Sequence, residues 1–430
     1  MNICIVKIGS YLPGGGIEEY SRLISHESTK LGHSVDVFSV AIGETFKRPK
    51  HKKLLNGLKY VEYNISHIDE FRNDINGYDV MILMNGYVTT LGDIRTQDKK
   101  EEILNECYKF FECYRDVNCY KILQNHYGPE KYTVCTPYMI DYILASDKVM
   151  GHSENDRFYE LTKTLGVPFE KIQLFIDFDD FEKTTNKNKK MKYVGRGSSL
   201  KGYQHIPKIA DRLYDAGIRI DMHGMTRDMS VYQNLIRLEN TCYLGKPNSD
   251  KTTIYAWGLY SKDEISDILS DAMFVFAPTK FKQGEYNNRF EIAQLEAIAH
   301  GCVLILHKLH GENCYMPDGR RWIDIPEFAI WFDDKDMQPC VDKIIELLNN
   351  KELRNKYVEN CYNYAKSIYD VKAFEKHFNK MIERKEIKEN KLNEETLKAY
   401  NIHKHNEVVN CLDLLDNRVT KRIKQKFFDI

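Results

Sequence analysis

Ile3-Cys4-Ile5-Val6, then Gly14-Gly15-Gly16 opening a segment with apolar Ile17, Tyr20, Leu23 and Ile24, then Val35-Asp36-Val37-Phe38-Ser39-Val40, decide the fold. They read as strand, glycine loop, helix and strand within about 40 residues, a βαβ unit that predicts a doubly wound parallel sheet. Further strands are expected at Val80–Met84, Lys121–Leu123 and Lys148–Gly151. Together they make one Rossmann-like domain over residues 1–181. Residues 182–192, Glu-Lys-Thr-Thr-Asn-Lys-Asn-Lys-Lys-Met-Lys, are polar and aperiodic and read as a linker. A second series of strands follows at Tyr193-Val194, Ile218–Met222, Cys242–Leu244, Phe274–Ala277 and Val303–Leu306, giving a second Rossmann-like domain over 193–365. Two such α/β domains predict a ligand cleft at their interface. Residues 366–430 read as a charged helical segment with apolar Ala373, Phe374, Phe378 and Met381, packing back on the domains.

The chain has 430 residues, too many for one core, and a net charge of -1. That balance gives no global attraction to nucleic acid, so any such binding needs a local basic patch. Eleven cysteines without paired spacing predict reduced thiols in a cytoplasm rather than a disulfide framework or a zinc site. Neither a signal-peptide pattern nor an apolar run of membrane-spanning length occurs, which predicts a soluble protein that needs no membrane.

Four places carry chemistry. Gly14-Gly15-Gly16 can present backbone N–H groups and a helix amino end to a phosphate, although the loop lacks the dinucleotide fingerprint and can equally be a turn. Gly195-Arg196-Gly197-Ser198-Ser199-Leu200-Lys201-Gly202 follows a strand with two cations, which suits a diphosphate; the alternative is a solvated basic loop. Asn288 to Gly301 reads as a helix stopped by glycine. At 100° per residue, Arg289 and Glu296 share one face about 20° apart, opposite a stripe of Ile292, Leu295 and Ala299. That face is either a site or a solvent face with a weak ion pair. Lys47-Arg48-Pro49-Lys50-His51-Lys52-Lys53 reads as a basic loop able to neutralise phosphates, or as a solvated loop. Asp177-Phe178-Asp179 and Asp334-Lys335-Asp336 match an acid-x-acid pattern but sit beside a linker and in a turn, so no metal site is expected.

Two Rossmann-like domains, the first glycine loop, Gly195-Arg196-x-x-x-x-Lys201-Gly202 and Leu295-Glu296-Ala297-x-Ala299-x-Gly301 together resemble the GT-B glycosyltransferases of family 4 type. The resemblance implies transfer from a nucleotide diphosphate sugar with retention, Arg196 and Lys201 on the diphosphate, Gly15 and Gly16 near it, and Glu296 on ribose or sugar hydroxyls. Where such enzymes carry a glutamate, eight residues before Glu296, this chain has Asn288, followed by Arg289-Phe290-Glu291. That arrangement, with Gly311-Glu312-Asn313, Trp331-Phe332-Asp333 and Gly151-His152-Ser153-Glu154-Asn155, is similar to the DNA α-glucosyltransferases of T-even bacteriophages, which modify 5-hydroxymethylcytosine.

The narrower resemblance implies a UDP-sugar donor, glucose as the sugar, and duplex DNA containing 5-hydroxymethylcytosine as acceptor, inside an infected host cell. It adds Arg289, Gly311, Glu312 and Asn313 to the donor residues. Lys47, Arg48, Lys50, Lys52 and Lys53 become the DNA contacts. His126 or Asn125, with Glu291 and Glu296, are the catalytic candidates. A monomer without a required cofactor is expected, a divalent ion acting at most at product release. Three alternatives stay open: a pentose such as arabinose as the donor sugar, a surface or lipid-linked glycan as the acceptor, and a non-catalytic nucleotide-sugar or DNA-binding module.

Overall fold

The computed structural model describes residues 1–9, 16–42, 50–55, 58–84, 100–125, 139–152, 157–184, 188–195, 201–224, 241–243, 246–247, 253–258, 260, 264–279 and 290–386. The chain divides into two compact units, one of Met1–Gln173 with the chain from Phe374 onward, the other of Leu174–Ala373.

In unit 1, β1 (Asn2–Ile8) leads into α1 (Gly16–Lys30) and β2 (Ser34–Ala41). β1 and β2 run parallel with Val6 opposite Phe38, so the opening sequence does form a βαβ unit. A hairpin of β3 (Lys50–Leu55) and β4 (Leu58–Asn64) follows, then α2 (Ile68–Asp74), β5 (Val80–Met84), α3 (Lys100–Asp116), β6 (Tyr120–Gln124), α4 (Met139–Leu144), β7 (Lys148–Gly151), α5 (Arg157–Thr164) and β8 (Phe169–Lys171). The sheet has eight strands in the order β3-β4-β2-β1-β5-β6-β7-β8. Its chain-order reversal at β1/β5 is the crossover of a doubly wound sheet. Cys4, Val6 and Ile8 pack with Phe38, Val40, Met81 and Leu83 on one face, which is why these strands read as apolar runs.

In unit 2, β9 (Asn188–Val194), α6 (Ile206–Leu213), β10 (Arg219–His223), β11 (Thr241–Tyr243), β12 (Lys246–Pro247), β13 (Ile254–Gly258), β14 (Ala272–Phe276), β15 (Val303–His307) and β16 (Ile330–Phe332) supply a second sheet. Its order is β12-β11-β13-β10-β9-β14-β15-β16. The helix Ile292–Ala299 lies between β14 and β15, and Lys308–Asn313 follows β15. Met191, Tyr193, Ile220, Met222, Phe274 and Ile305 form its core.

The structure departs from two expected boundaries. Residues 188–192 of the expected linker are the first five of β9, because alternate lysines find carboxylates: Lys190 pairs with Asp271, and Lys192 with Asp221 at 2.8 Å. The expected boundary at 366 falls inside the helix Lys351–Tyr369. Beyond it, the helix Phe374–Ile382 belongs to unit 1: the Phe378 ring lies 5.2 Å from that of His33, and Lys148 Nζ donates to the carbonyls of Lys380 and Glu383 at 2.5 and 2.6 Å. Residues 387–430 lie outside the described residues.

Candidate functional site

The second expected phosphate loop begins where β9 ends. Arg196 lies outside the described residues; Lys201 lies within them. Lys201 precedes Gly202, whose φ is +74° and whose Cβ, if it had one, would stand 2.5 Å from Pro278 Cγ. Only glycine allows the turn to lie this close to the segment after β14. Beside it starts the helix Ile292–Ala299, and the Lys201 ammonium forms an ion pair with Glu291.

Glu291 is the N-cap of that helix. Its backbone is extended, at φ -79° and ψ 159°, and its carboxylate accepts the N–H of Gln294. Gln294 Oε1 in turn accepts the Glu291 N–H at 3.0 Å, closing a capping box. The fully buried Gln294 also donates through Nε2 to the Ala277 carbonyl at 3.4 Å. Val194, Ala277 and Thr279 line a small cavity with Lys201, Glu291 and Gln294. Burial first, and then the Glu291 carboxylate, hold the Tyr193 phenol far above its ordinary titration range. An ammonium and the positive end of a helix thus converge beside this cavity, an arrangement that attracts anions.

The helix differs from its sequence expectation at the start and on its faces. It begins at Ile292 rather than Asn288, because Glu291 caps it; Asn288 and Arg289 lie outside the described residues. The reading of a solvent face is overturned: Glu296 is only 4% exposed, because Gln294 through Ala299 are all buried and no side of this stretch faces water. The expected stop at Gly301 is present. Gly301 has φ +72°, and the N–H groups of Gly301 and Cys302 return to the carbonyls of Ile298 and Ala297, both at 2.9 Å.

Gly311, Glu312 and Asn313, soon after β15, are the last three residues of the helix Lys308–Asn313. A Cβ on Gly311 would meet the Trp331 ring at 2.5 Å, so this glycine has a packing reason of its own. Asn313 Nδ2 donates within its helix to Leu309 O at 2.7 Å, while Glu312 is partly exposed. Asp177 caps the turn Phe178–Asp180, and Asp179 pairs with Lys366 at 3.0 Å and Lys372 at 2.5 Å. No cluster of His, Cys, Asp and Glu able to hold a metal occurs among the described residues.

In unit 1, Gly16 is the first residue of α1, and Gly15 lies outside the described residues. Near this point Lys7 of β1 forms a buried ion pair with Glu18 of the first turn of α1. Asn125 follows β6 with its side chain buried, and its N–H donates to Met150 O at 2.8 Å; His126 lies outside the described residues. Lys47 and Arg48 do too.

Lys50, Lys52 and Lys53 are on an edge strand, not in a loop. β3 pairs antiparallel with β4, Lys50 opposite Tyr63 and Lys53 opposite Tyr60. Lys53 pairs with Glu62, whose side chain is fully buried, and Lys50 with Asp74 at 3.0 Å. A hydrogen bond from the Tyr63 hydroxyl, and then Lys50, hold the Asp74 carboxyl below its ordinary range. Lys52 is exposed.

Sequence reading missed Gln294, although Glu291-x-x-Gln294 is a capping-box pattern in plain sight. It also missed the buried Lys192–Asp221 pair, because a lysine-rich stretch hides its strand periodicity.

No family model matches the chain. The DNA alpha-glucosyltransferase of Enterobacteria phage T4 is 22% identical over 251 residues, which are 51% of this chain and 62% of the T4 protein. The match therefore spans less than two thirds of that relative. Two solved alpha-glucosyltransferase structures, one with UDP-glucose and DNA containing an abasic site, the other with UDP and a 13-mer DNA containing a HMU base, superpose with a TM-score of 0.71. Each is 18% identical and is covered in full, against 89% of this chain. Sucrose-phosphate synthase from Thermosynechococcus elongatus gives a TM-score of 0.58 at 12% identity, over 88% of this chain and 98% of that one. The chain has the GT-B fold. Among the described residues, unit 2 brings Lys201, Glu291, Gln294 and Glu296 into or beside one helix.

Proposed function

We propose that this chain is a DNA glycosyltransferase that moves glucose from UDP-glucose to the hydroxymethyl group of 5-hydroxymethylcytosine in duplex DNA, with retention at the anomeric carbon. The observation that carries the transferase reading is the Lys201 ammonium at the amino end of the Ile292–Ala299 helix, in a chain with the GT-B fold. The DNA acceptor rests on the T4 relative, named for DNA glucosylation, and on the complexes that hold UDP or UDP-glucose together with DNA.

In this reading the residues divide the work by chemistry. Departure of UDP concentrates negative charge on the leaving diphosphate, so the largest gain comes from fixed positive groups at that place. Lys201 and Arg196 supply them, and the helix amino end adds its partial charge. Glu296, buried one turn into the same helix, accepts hydrogen bonds from donor hydroxyls, with Arg289, Gly311, Glu312 and Asn313 completing the donor contacts. Gly15 and Gly16, at the first glycine loop, are the residues of unit 1 that this reading assigns to phosphate binding. Asn125 or His126 holds the reacting hydroxyl. Lys52, with Lys47 and Arg48, contacts DNA phosphates; Lys50 and Lys53, already paired with Asp74 and Glu62, have less charge to offer.

The test is transfer of labelled sugar from UDP-glucose to hydroxymethylated and to plain duplex DNA. Label confined to the hydroxymethylated duplex is expected. Equal labelling of both, or of neither, sinks the reading. Mass analysis of the nucleosides formed from a panel of UDP-sugars separates glucose from a pentose.

A further inference from the structure

Lys201 is the described cation on which the proposed donor site depends, and in the structure it already holds an anion. Its ammonium is on the Glu291 carboxylate, and the same carboxylate accepts the N–H of Gln294 in the first turn of the helix. The two side chains of the pair are 33% and 28% exposed. Water and salt therefore reach it, and it is a weak pair. The Lys192–Asp221 pair of the same sheet, at 6% and 2%, is sealed.

A diphosphate carries more charge than a carboxylate and offers more oxygens to an ammonium and a helix amide. We propose that Glu291 is a built-in competitor of the donor diphosphate, so that donor binding exchanges the Glu291 carboxylate for phosphate on Lys201. This rests on the donor-site reading above, and it gives Glu291 a role other than the catalytic one expected from sequence. Glu291 positions Lys201 before the donor arrives and lowers the apparent affinity for anything that carries the diphosphate. Its own charge is not stranded by the exchange, because its side chain stays partly in water.

The experiment is calorimetric titration of the full chain and of Glu291→Gln and Glu291→Ser with UDP and, separately, with inorganic pyrophosphate. Serine is a good N-cap, so the second variant removes the charge while keeping the helix start. Both variants are expected to bind both ligands up to about fivefold more tightly in dilute buffer. The advantage fades toward none near about 1 M salt, where exposed charges are screened. Equal or weaker UDP binding by the variants, with UDP still bound by the unchanged chain, overturns this proposal alone. So does a gain that ignores salt, or one seen with UDP but not with pyrophosphate. Absence of binding by all three proteins overturns the donor-site reading and this proposal together.

Discussion

Both units set a lysine against a glutamate at the start of a helix, and the two pairs differ in access to water. Lys7 and Glu18 of unit 1 are 6% and 13% exposed, whereas Lys201 and Glu291 of unit 2 are 33% and 28% exposed. The first is closed on itself, and its charges are kept because each satisfies the other. The second is open, and either partner can be taken by something else without stranding a charge. Position at a helix start does not distinguish the two pairs; exposure does.

The comparison breaks most visibly at Lys7. Lys7→Met leaves Glu18 charged and nearly buried, so a loss of about 3–5 kcal/mol in folding stability is expected in denaturant titration. The double variant Lys7→Met with Glu18→Leu should recover most of it; no recovery would mean that the pair is not what costs the single variant its stability. Lys201→Ala should do the reverse. In a transfer assay kcat/KM for the UDP-sugar should fall about 100-fold, while thermal stability changes by less than about 0.5 kcal/mol. A stability loss as large as that of Lys7→Met would erase the distinction between the pairs.

Smaller effects sharpen it. Gly311→Ala pushes a methyl into Trp331 and should cost about 1–3 kcal/mol of stability, read from the thermal midpoint. Each unit also holds a histidine whose proton affinity burial lowers. Burial lowers His377 in unit 1 and His223 in unit 2 from 6.5 to about 4. A depressed histidine binds its proton more readily in the unfolded chain. Stability is thus fully present above 6.5 and falls as pH drops from 6.5 toward 4. His377→Phe should flatten the part of that fall belonging to unit 1, measured as denaturation midpoint against pH; an unchanged slope would remove His377 as its source. Smallest is Lys52→Ala, which should weaken duplex DNA binding alike for all sequences and reduce the salt slope by about 1.

Much of the fold was legible in the sequence. Ile3–Val6, Val35–Val40, Val80–Met84 and Val303–Leu306 are strands because apolar runs of this length have to be buried between helices. The hairpin of β3 and β4 was not legible. Lys50-His51-Lys52-Lys53 looks solvated until Glu62 and Asp74, distant in sequence, are seen to neutralise two of its charges. Edge strands also tolerate lysine, which works against unwanted pairing. The burial of Glu296 was hidden for a similar reason: a helical wheel shows which residues share a face, not that neighbours cover every face. At the candidate site, Lys201 and Gly202 were legible as a spacing, and Glu291 only as a catalytic candidate within a longer helix. Their meeting was not, because Lys201 and Glu291 are brought together by the approach of Gly202 to Pro278.

The helix Phe374–Ile382 has a consequence for how the molecule is made. Lys148 and Gln124, synthesised early, meet Lys380, Met381 and Glu383 only after the whole of Leu174–Ala373 has been translated. A growing chain therefore emerges from the ribosome with its first half unfinished until its second half is complete. A chain that stops before Phe374 lacks Phe378 and Met381, two of the buried apolar side chains of unit 1, and the contacts they close there.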